Sequence, residues 1–345
     1  MRRLAFAPAR QEPPAPPCLC IAWAPHAPRS QRLAAALGAD IHTVHFLAFQ
    51  RPLAAPLKYP VQALVTGYWL WRKHPRVVLV QNPPIFAAVV VALYARLTRN
   101  HYIIDTHTGA LVGDKWKWSL PLHRWLSRRA LATVVTHASL RDRLWGGKKR
   151  AFRVLLVEDP PPDWSSAVPS SPPTRGARQV VVIATYASDE PIASVLAAAR
   201  QLPEVSFAMT GDAQRLRATL RATCPPNVRL TGWLSDAAYS ALIHGANVVV
   251  ALTTRDHTTL CGAWEALYAG QPLVTSDWPV LRAAFPQGAV FTGAAPGEIL
   301  AAMQQALAQE DSLRVAMQAL SAHKRQIWAT SLGQLRQLLP DYEAC

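Results

Sequence analysis

The chain has 345 residues, half of them hydrophobic, with 12 Trp, 29 Pro and a formal charge of +15. That length exceeds one ordinary core, so two domains are expected, and the apolar content is ample to pack both. The longest apolar run, 85–94, falls well short of the roughly 20 residues that cross a bilayer, which excludes a spanning helix.

The opening MRRLAFAPARQEPPAPP carries the arginines of a signal peptide but no sustained apolar core behind them, and its prolines predict a disordered lead-in over 1–17. A cytoplasmic chain is expected. Strand and helix then alternate. Leu19 to Trp23 reads as a short strand, the loop APHAPRS leads into a helix from about Gln31 to Leu37, and Ile41 to Phe46 is a second strand. Lys58 to Lys73 is helical, Val77 to Val80 is a buried strand ended by QNPP, Ile85 to Leu97 is a helix, and His101 to Asp105 is the next strand. A helix through the tryptophans follows, then strands at Ala132 to Thr136 and Phe152 to Val157. Such βαβ alternation predicts a parallel, doubly wound sheet over residues 18–165.

EDPPPDWSSAVPSSPPTRG, residues 158–176, holds six prolines and little periodicity, so an interdomain linker centred on 166–176 is expected. The alternation restarts with a strand at Val180 to Ala184, a helix at Pro191 to Gln201, a strand at Val205 to Thr210, a helix at Asp212 to Ala222 and a strand at Val228 to Leu230. ANVVVALTTRDHTTLCGAWEALYAGQPLVTSDWP, residues 246–279, then reads as strand, polar loop, helix, turn and strand without interruption. Val290 to Phe291 completes a second sheet over 177–320, and helices fill Pro296 to Leu307 and about Ser312 to Leu339.

Charge is split unevenly. Residues 1–165 hold 23 Lys and Arg against 8 Asp and Glu, whereas residues 166–345 hold 13 of each, so the whole excess lies in the first half. An anionic partner is implied for that half: a membrane surface, a nucleic acid or a phosphorylated acceptor. KWKWSLPLHRWLSRR, 115–129, interleaves three Trp with five cations as interfacial segments do, and WLWRKHPR, 69–76, adds a second such cluster. No RNA- or DNA-binding motif accompanies them, so nucleic acid is not expected. The five cysteines, at 18, 20, 224, 261 and 345, form no metal or disulfide framework and read as reduced thiols.

The segment 246–279 carries the most chemistry. A helix starting near Leu260 offers free backbone N–H groups at Thr258, Thr259, Cys261 and Gly262, which suit a diphosphate. Glu265 follows on that helix, where a carboxylate can accept from both hydroxyls of a ribose. This run resembles the donor-binding motif of GT-B glycosyltransferases, especially the retaining family 4, whose signature is Glu, seven residues, Glu. Glu265 matches the second glutamate, while His257 stands at the first.

The resemblance implies two Rossmann-like domains facing a central cleft, the first for the acceptor and the second for a nucleoside-diphosphate sugar, with residues 321–345 crossing back to the first. It implies that Glu265 holds the ribose, that His257 lies near sugar and phosphate, and that His107 in IIDTHTGA contacts the transferred sugar, with Asp105 ordering that loop or facing the acceptor. Gly232 and Trp233 match a loop near the nucleotide base. The family's Arg and Lys after the first strand of the second domain are replaced by ATYASDEP. The diphosphate would then rely on the helix N-terminus, on Arg255, and on a cation closing across the cleft such as Arg29, which has the alternatives of an acidic acceptor or the surface. Asp189 and Glu190 are expected to face solvent or a sugar hydroxyl. Transfer with retention needs no dedicated base, and no DxD pair or His/Cys cluster asks for a metal or cofactor. An inverting transferase using His107 as base, a sugar-nucleotide epimerase and a non-catalytic docking protein remain as rivals.

Overall fold

The computed structural model describes residues 18–46, 55–147, 151–164 and 178–339. The expected lead-in at 1–17, the linker core at 166–176 and Cys345 lie outside the described residues. Two six-stranded sheets form, and every ladder between neighbouring strands is parallel. The first contains β1 (Cys18–Ala22), β2 (Asp40–Thr43), β3 (Val77–Asn82), β4 (His101–Thr106), β5 (Ala132–Val135) and β6 (Val154–Leu156), in the order β2-β1-β3-β4-β5-β6. The second contains β7 (Gln179–Val182), β8 (Ser206–Thr210), β9 (Val228–Gly232), β10 (Val248–Ala251), β11 (Leu273–Ser276) and β12 (Ala289–Thr292), in the order β12-β11-β10-β7-β8-β9.

The strands alternate their side chains between two helical layers, which is why they read as continuous apolar runs. Leu19 and Ile21 of β1 join Val78, Val80 and Ile104 under the helices α2 (Ala55–Lys73), α3 (Ile85–Thr98) and α5 (Leu120–Ser127). Cys18 and Cys20 point to the opposite face, where α1 (Pro28–Ala36) and the long final helix α13 (Glu310–Arg336) cover the sheet. Two smaller helices, α4 (Thr108–Leu111) and α6 (Ala138–Trp145), follow β4 and β5. In the second sheet α7 (Ile192–Arg200) and α12 (Pro296–Ala308) cover one face, while α9 (Asp236–His244), α10 (Cys261–Tyr268) and α11 (Pro279–Ala284) cover the other. The final helix belongs to both units. Met317 and Leu320 enter the second core, and Leu332 and Leu335 enter the first.

Several elements differ from the sequence expectation. The single helix over Asp212 to Ala222 is instead a 3-10 turn, Ala213–Arg215, followed by a short α8 (Ala218–Ala222). The Asp212 carboxylate takes the Gln214 N–H at 3.0 Å, which closes one turn, and Arg217 is extended behind it. The helix through the tryptophans is also broken, with no side-chain cap, into α4, a 3-10 turn at Lys117–Ser119 and α5. Helix α9 was not separated from its surrounding loop by sequence, although Ser235 accepts the Ala238 N–H at 3.3 Å and Asp236 sits in the first turn, both N-terminal signals.

Both strand orders contain a point where chain progression reverses. In the second sheet it falls between β7 and β10, and in the first between β1 and β3. Open parallel sheets bind ligands at the carboxyl ends of strands at such points. The loops there lead into α10 and α1.

Candidate active site

Helix α10 begins where the polar loop after β10 ends. Leu260 is extended, no side chain caps the helix, and no carboxylate stands in its first turn, so the leading amides face outward with their partial positive charge. Gly262 sets its approach to the sheet. A Cβ at that position would come within 2.7 Å of Ile183 Cγ2, so only glycine lets the helix start sit against the end of β7. Cys261 is exposed and Thr258 and Thr259 are half-buried at the mouth of this turn.

Glu265 is the fifth residue of α10 and is 6% exposed. Its Oε1 accepts from Arg32 Nη2 at 2.7 Å, and its Oε2 accepts from the Tyr239 hydroxyl at 2.7 Å. Burial, reinforced by the negative charge of Glu265, pushes the Tyr239 hydroxyl well above its ordinary range, so it stays protonated and donates. Arg32 comes from α1 of the other sheet, three residues after Arg29. It is therefore Arg32, not Arg29, that reaches across to the second domain.

Arg29 is buried and committed within the first domain. Its guanidinium contacts Asp105 at 3.3 Å and Asp159 at 2.9 Å, and donates to the carbonyls of Val157 and Glu158. Burial alone would raise the Asp105 carboxyl, but the charge of Arg29, helped by the His107 hydrogen bond, holds it down at about 2. His107, partly exposed, places Nε2 3.2 Å from Asp105 Oδ2 at the carboxyl end of β4. The pair fixes the ring orientation and leaves the other ring nitrogen for a ligand.

His257 lies at the seam between the domains with a left-handed backbone, φ +59. Its carbonyl accepts from Thr108 Oγ1 at 3.2 Å and from His137 Nε2 at 3.0 Å, and its ring Nδ1 is 3.2 Å from Ser139 Oγ. The rings of His137 and His257 are nearly parallel with centroids 6.5 Å apart. His137 is held below its ordinary value, first by burial. Gly232 adopts φ +67, and the exposed Trp233 beside it has its ring 5.7 Å from His26 of the first domain.

The stretch ATYASDEP is a strut. The Glu190 carboxylate accepts from the Thr185 N–H and hydroxyl at 2.7 to 3.0 Å, and Asp189 accepts from the Thr253 hydroxyl at 2.8 Å. Arg255, largely exposed, lies 3.5 Å from Asp189. The expectation that Asp189 and Glu190 face solvent or sugar is thus corrected: Glu190 closes the loop after β7 on itself through Thr185, and Asp189 ties that loop to the loop after β10 through Thr253 and Thr254. Sequence reasoning missed Arg32, Tyr239, His137, Ser139 and Asp159. The strand-end pair Thr-His in VVTHAS repeats that in IIDTHTGA and signals His137; Arg32 and Tyr239 leave no comparable mark.

Among the described residues no three His, Cys, Asp or Glu side chains converge as a metal site, and no helix is long and apolar enough to cross a membrane.

A family model described as glycosyl transferase-like matches residues 190–332. A comparison with curated proteins finds no match. Among solved structures, sucrose-phosphate synthase from Thermosynechococcus elongatus superposes with a TM-score of 0.72 at 15% identity, covering 93% of this chain and 98% of its own. Anabaena HepE in complex with UDP and glucose gives 0.70 at 14%, covering 93% and 99%. A UDP-N-acetylglucosamine 2-epimerase described from Listeria monocytogenes gives 0.64 at 11%, covering 95% and 100%. The two parallel sheets with flanking helices form the GT-B fold, and the glycosyl transferase-like model covers the second sheet from β8 to β12.

Proposed function

We propose that this GT-B glycosyltransferase moves a sugar from a nucleoside-diphosphate sugar to a hydroxyl of a glycan or lipid-linked acceptor, with retention and without a metal. The donor sits on the second domain and the acceptor on the first. The observation that carries the reading is Glu265, a buried carboxylate one turn inside an uncapped helix at the switch point of the second sheet. In this reading it accepts from the ribose while the amides at Cys261 and Gly262 hold the diphosphate. Binding of UDP by Anabaena HepE supports a nucleotide here.

Arg255 at the loop edge and Thr258 and Thr259 at the helix mouth complete the phosphate side, and Trp233 covers the base. His107, oriented by Asp105, and His257 flank the transferred sugar. Closure of the two domains excludes water and brings the acceptor hydroxyl to the anomeric carbon. The leaving phosphate helps to take the acceptor proton. The excess positive charge of the first half supports an anionic acceptor or surface on that side.

A second reading is favoured by one observation. The Asp105–His107 pair is the arrangement of an oriented general base, which an inverting transferase would use. A thermal-shift screen across nucleotide sugars identifies the donor, because a ligand of the folded state raises the melting temperature. Nuclear magnetic resonance of the product then decides the stereochemistry. Retained configuration and undiminished turnover in a chelator are expected; inversion, or loss of turnover that a divalent ion restores, contradicts the reading.

A further inference from the structure

Helix α2 is turned inside out. Its residues Leu57, Leu64, Tyr68 and Trp71 recur at helical spacing on one stripe, and all are exposed, Leu64 by 75% and Trp71 by 66%. The opposite stripe holds Lys58, Gln62 and Thr66, which are buried with Leu70. These polar groups have been given partners inside: Thr66 accepts from Trp23 Nε1 at 2.8 Å, and Gln62 donates to the Val44 carbonyl at 2.7 Å. A helix beside water normally places such residues the other way round.

The neighbouring elements continue the pattern. On α3, Val89, Leu93 and Leu97 stand one turn apart and exposed, Leu97 by 72%. Trp118 in the 3-10 turn before α5 and Trp125 on α5 are exposed. Leu70, Val91 and Leu126 enter one core layer, so α2, α3 and α5 lie on the same face of the first sheet, with α3 packed against both others. Their outward sides form one apolar, aromatic surface.

Charge identifies its occupant. Residues 55–131 contain four Lys and seven Arg against two carboxylates, the buried Asp105 and the exposed Asp114, which pairs with Lys117. Arg96, Arg99, Lys115, Lys117, Arg128 and Arg129 are exposed on or beside the apolar side chains. A second copy of the chain would set this positive rim against itself. An oligonucleotide would meet the cations but leave the leucines and valines in water. A hydrocarbon layer under anionic headgroups satisfies both, with Tyr and Trp at the boundary.

We propose that the outer face of α2, α3 and the α5 region docks the protein onto an anionic lipid bilayer. This deepens the reading of an anionic surface for the first half, yet its test does not depend on sugar transfer. Sedimentation with vesicles of phosphatidylcholine, with and without phosphatidylserine, measures it. The wild-type protein is expected to pellet with the anionic vesicles and to be released by salt. Leu64→Gln/Trp71→Gln/Leu97→Gln is expected to lower that binding about tenfold or more. Lys115→Gln/Arg128→Gln/Arg129→Gln should lower it similarly. Both variants should keep the wild-type melting temperature, since every changed residue is exposed. Wild-type protein that stays in solution with both vesicles, or an apolar variant that pellets fully, overturns the proposal. A concentration-dependent dimer that the apolar changes disperse, or oligonucleotide binding that they abolish, overturns it equally.

Discussion

Glu265 accepts one hydrogen bond on each oxygen, from Arg32 and from Tyr239, and each carboxylate oxygen has a second lone pair free for another donor. A ribose can therefore join the network without dismantling it, and Tyr239 sets the plane in which the carboxylate meets it. Hydrogen bonds to charged groups are worth about 1.5–3 kcal/mol. Tyr239→Phe is thus expected to weaken nucleoside-diphosphate binding about tenfold or more, with the chain still folded; calorimetric titration checks it, and unchanged affinity would show that Tyr239 only fills space. At the same scale, Arg29 illustrates how sequence misleads. It and Arg32 stand three apart in one loop-helix segment, and nothing in their spacing tells which is neutralised by Asp105 and Asp159 and which reaches Glu265. That depends on the end of β4 and on the segment after β6, both remote in sequence.

Among elements, helix α10 owes its position to Gly262. Gly262→Ala drives a methyl into Ile183, a stiff β-branched side chain, and overpacking of this kind costs about 1–3 kcal/mol. A drop of several degrees in melting temperature and a larger loss of nucleotide binding are expected, and Gly262→Ala/Ile183→Gly, which removes the Ile183 Cβ at 2.9 Å as well as its methyls, should recover binding if the clash is the cause. The strand ends of the first sheet depend on His123 of α5. It is wholly buried, with Thr106 Oγ1 at 3.1 Å and Asn82 Nδ2 at 3.4 Å from ring nitrogens. Burial, aided by Arg124, pushes it down to about 3 from 6.5. The unfolded chain then binds the proton first, so stability is full above about pH 6.5 and falls towards pH 3, by about 1.4 kcal/mol per pH unit. Asp105 adds a loss of the same sign below its ordinary range. Unfolding in urea from pH 7 to pH 4 should show this slope, and His123→Gln should flatten it. The β-strands and the run from β10 to β11 were legible because buried parallel strands are near-continuous apolar segments. The interrupted helices around 108–127 and 212–222 were not, because short turns such as the one that Asp212 caps at 213–215, and the uncapped pieces of 108–127, break a periodicity that would continue.

At the scale of the whole molecule, the two sheets meet through a few contacts: Arg32 with Glu265, Thr108, His137 and Ser139 with His257, and His26 with Trp233. The shared final helix ties the units together, with Lys324 Nζ 2.5 Å from Glu158 Oε1 and Arg336 donating to the Ala36 carbonyl at 2.7 Å. Two switch points face each other, α1 against α10. The fold class and the strand-loop-helix-strand run of 246–279 could be read from the sequence, since each rests on local pattern. The pairing of the domains could not, because every residue on the seam gets its role from a partner more than a hundred positions away, and the inverted face of α2 is visible only once the sheet shows which side is inside. The central claim is that Glu265 on α10 holds a nucleotide. Calorimetric titration of UDP into the wild-type protein and into Glu265→Ala tests it most directly: saturable binding by the first and a loss of about a hundredfold or more in the second, which still unfolds cooperatively but at a lower temperature because Arg32 and Tyr239 lose their acceptor, is expected from two lost charge-assisted hydrogen bonds. Equal affinity in both folded proteins would contradict it.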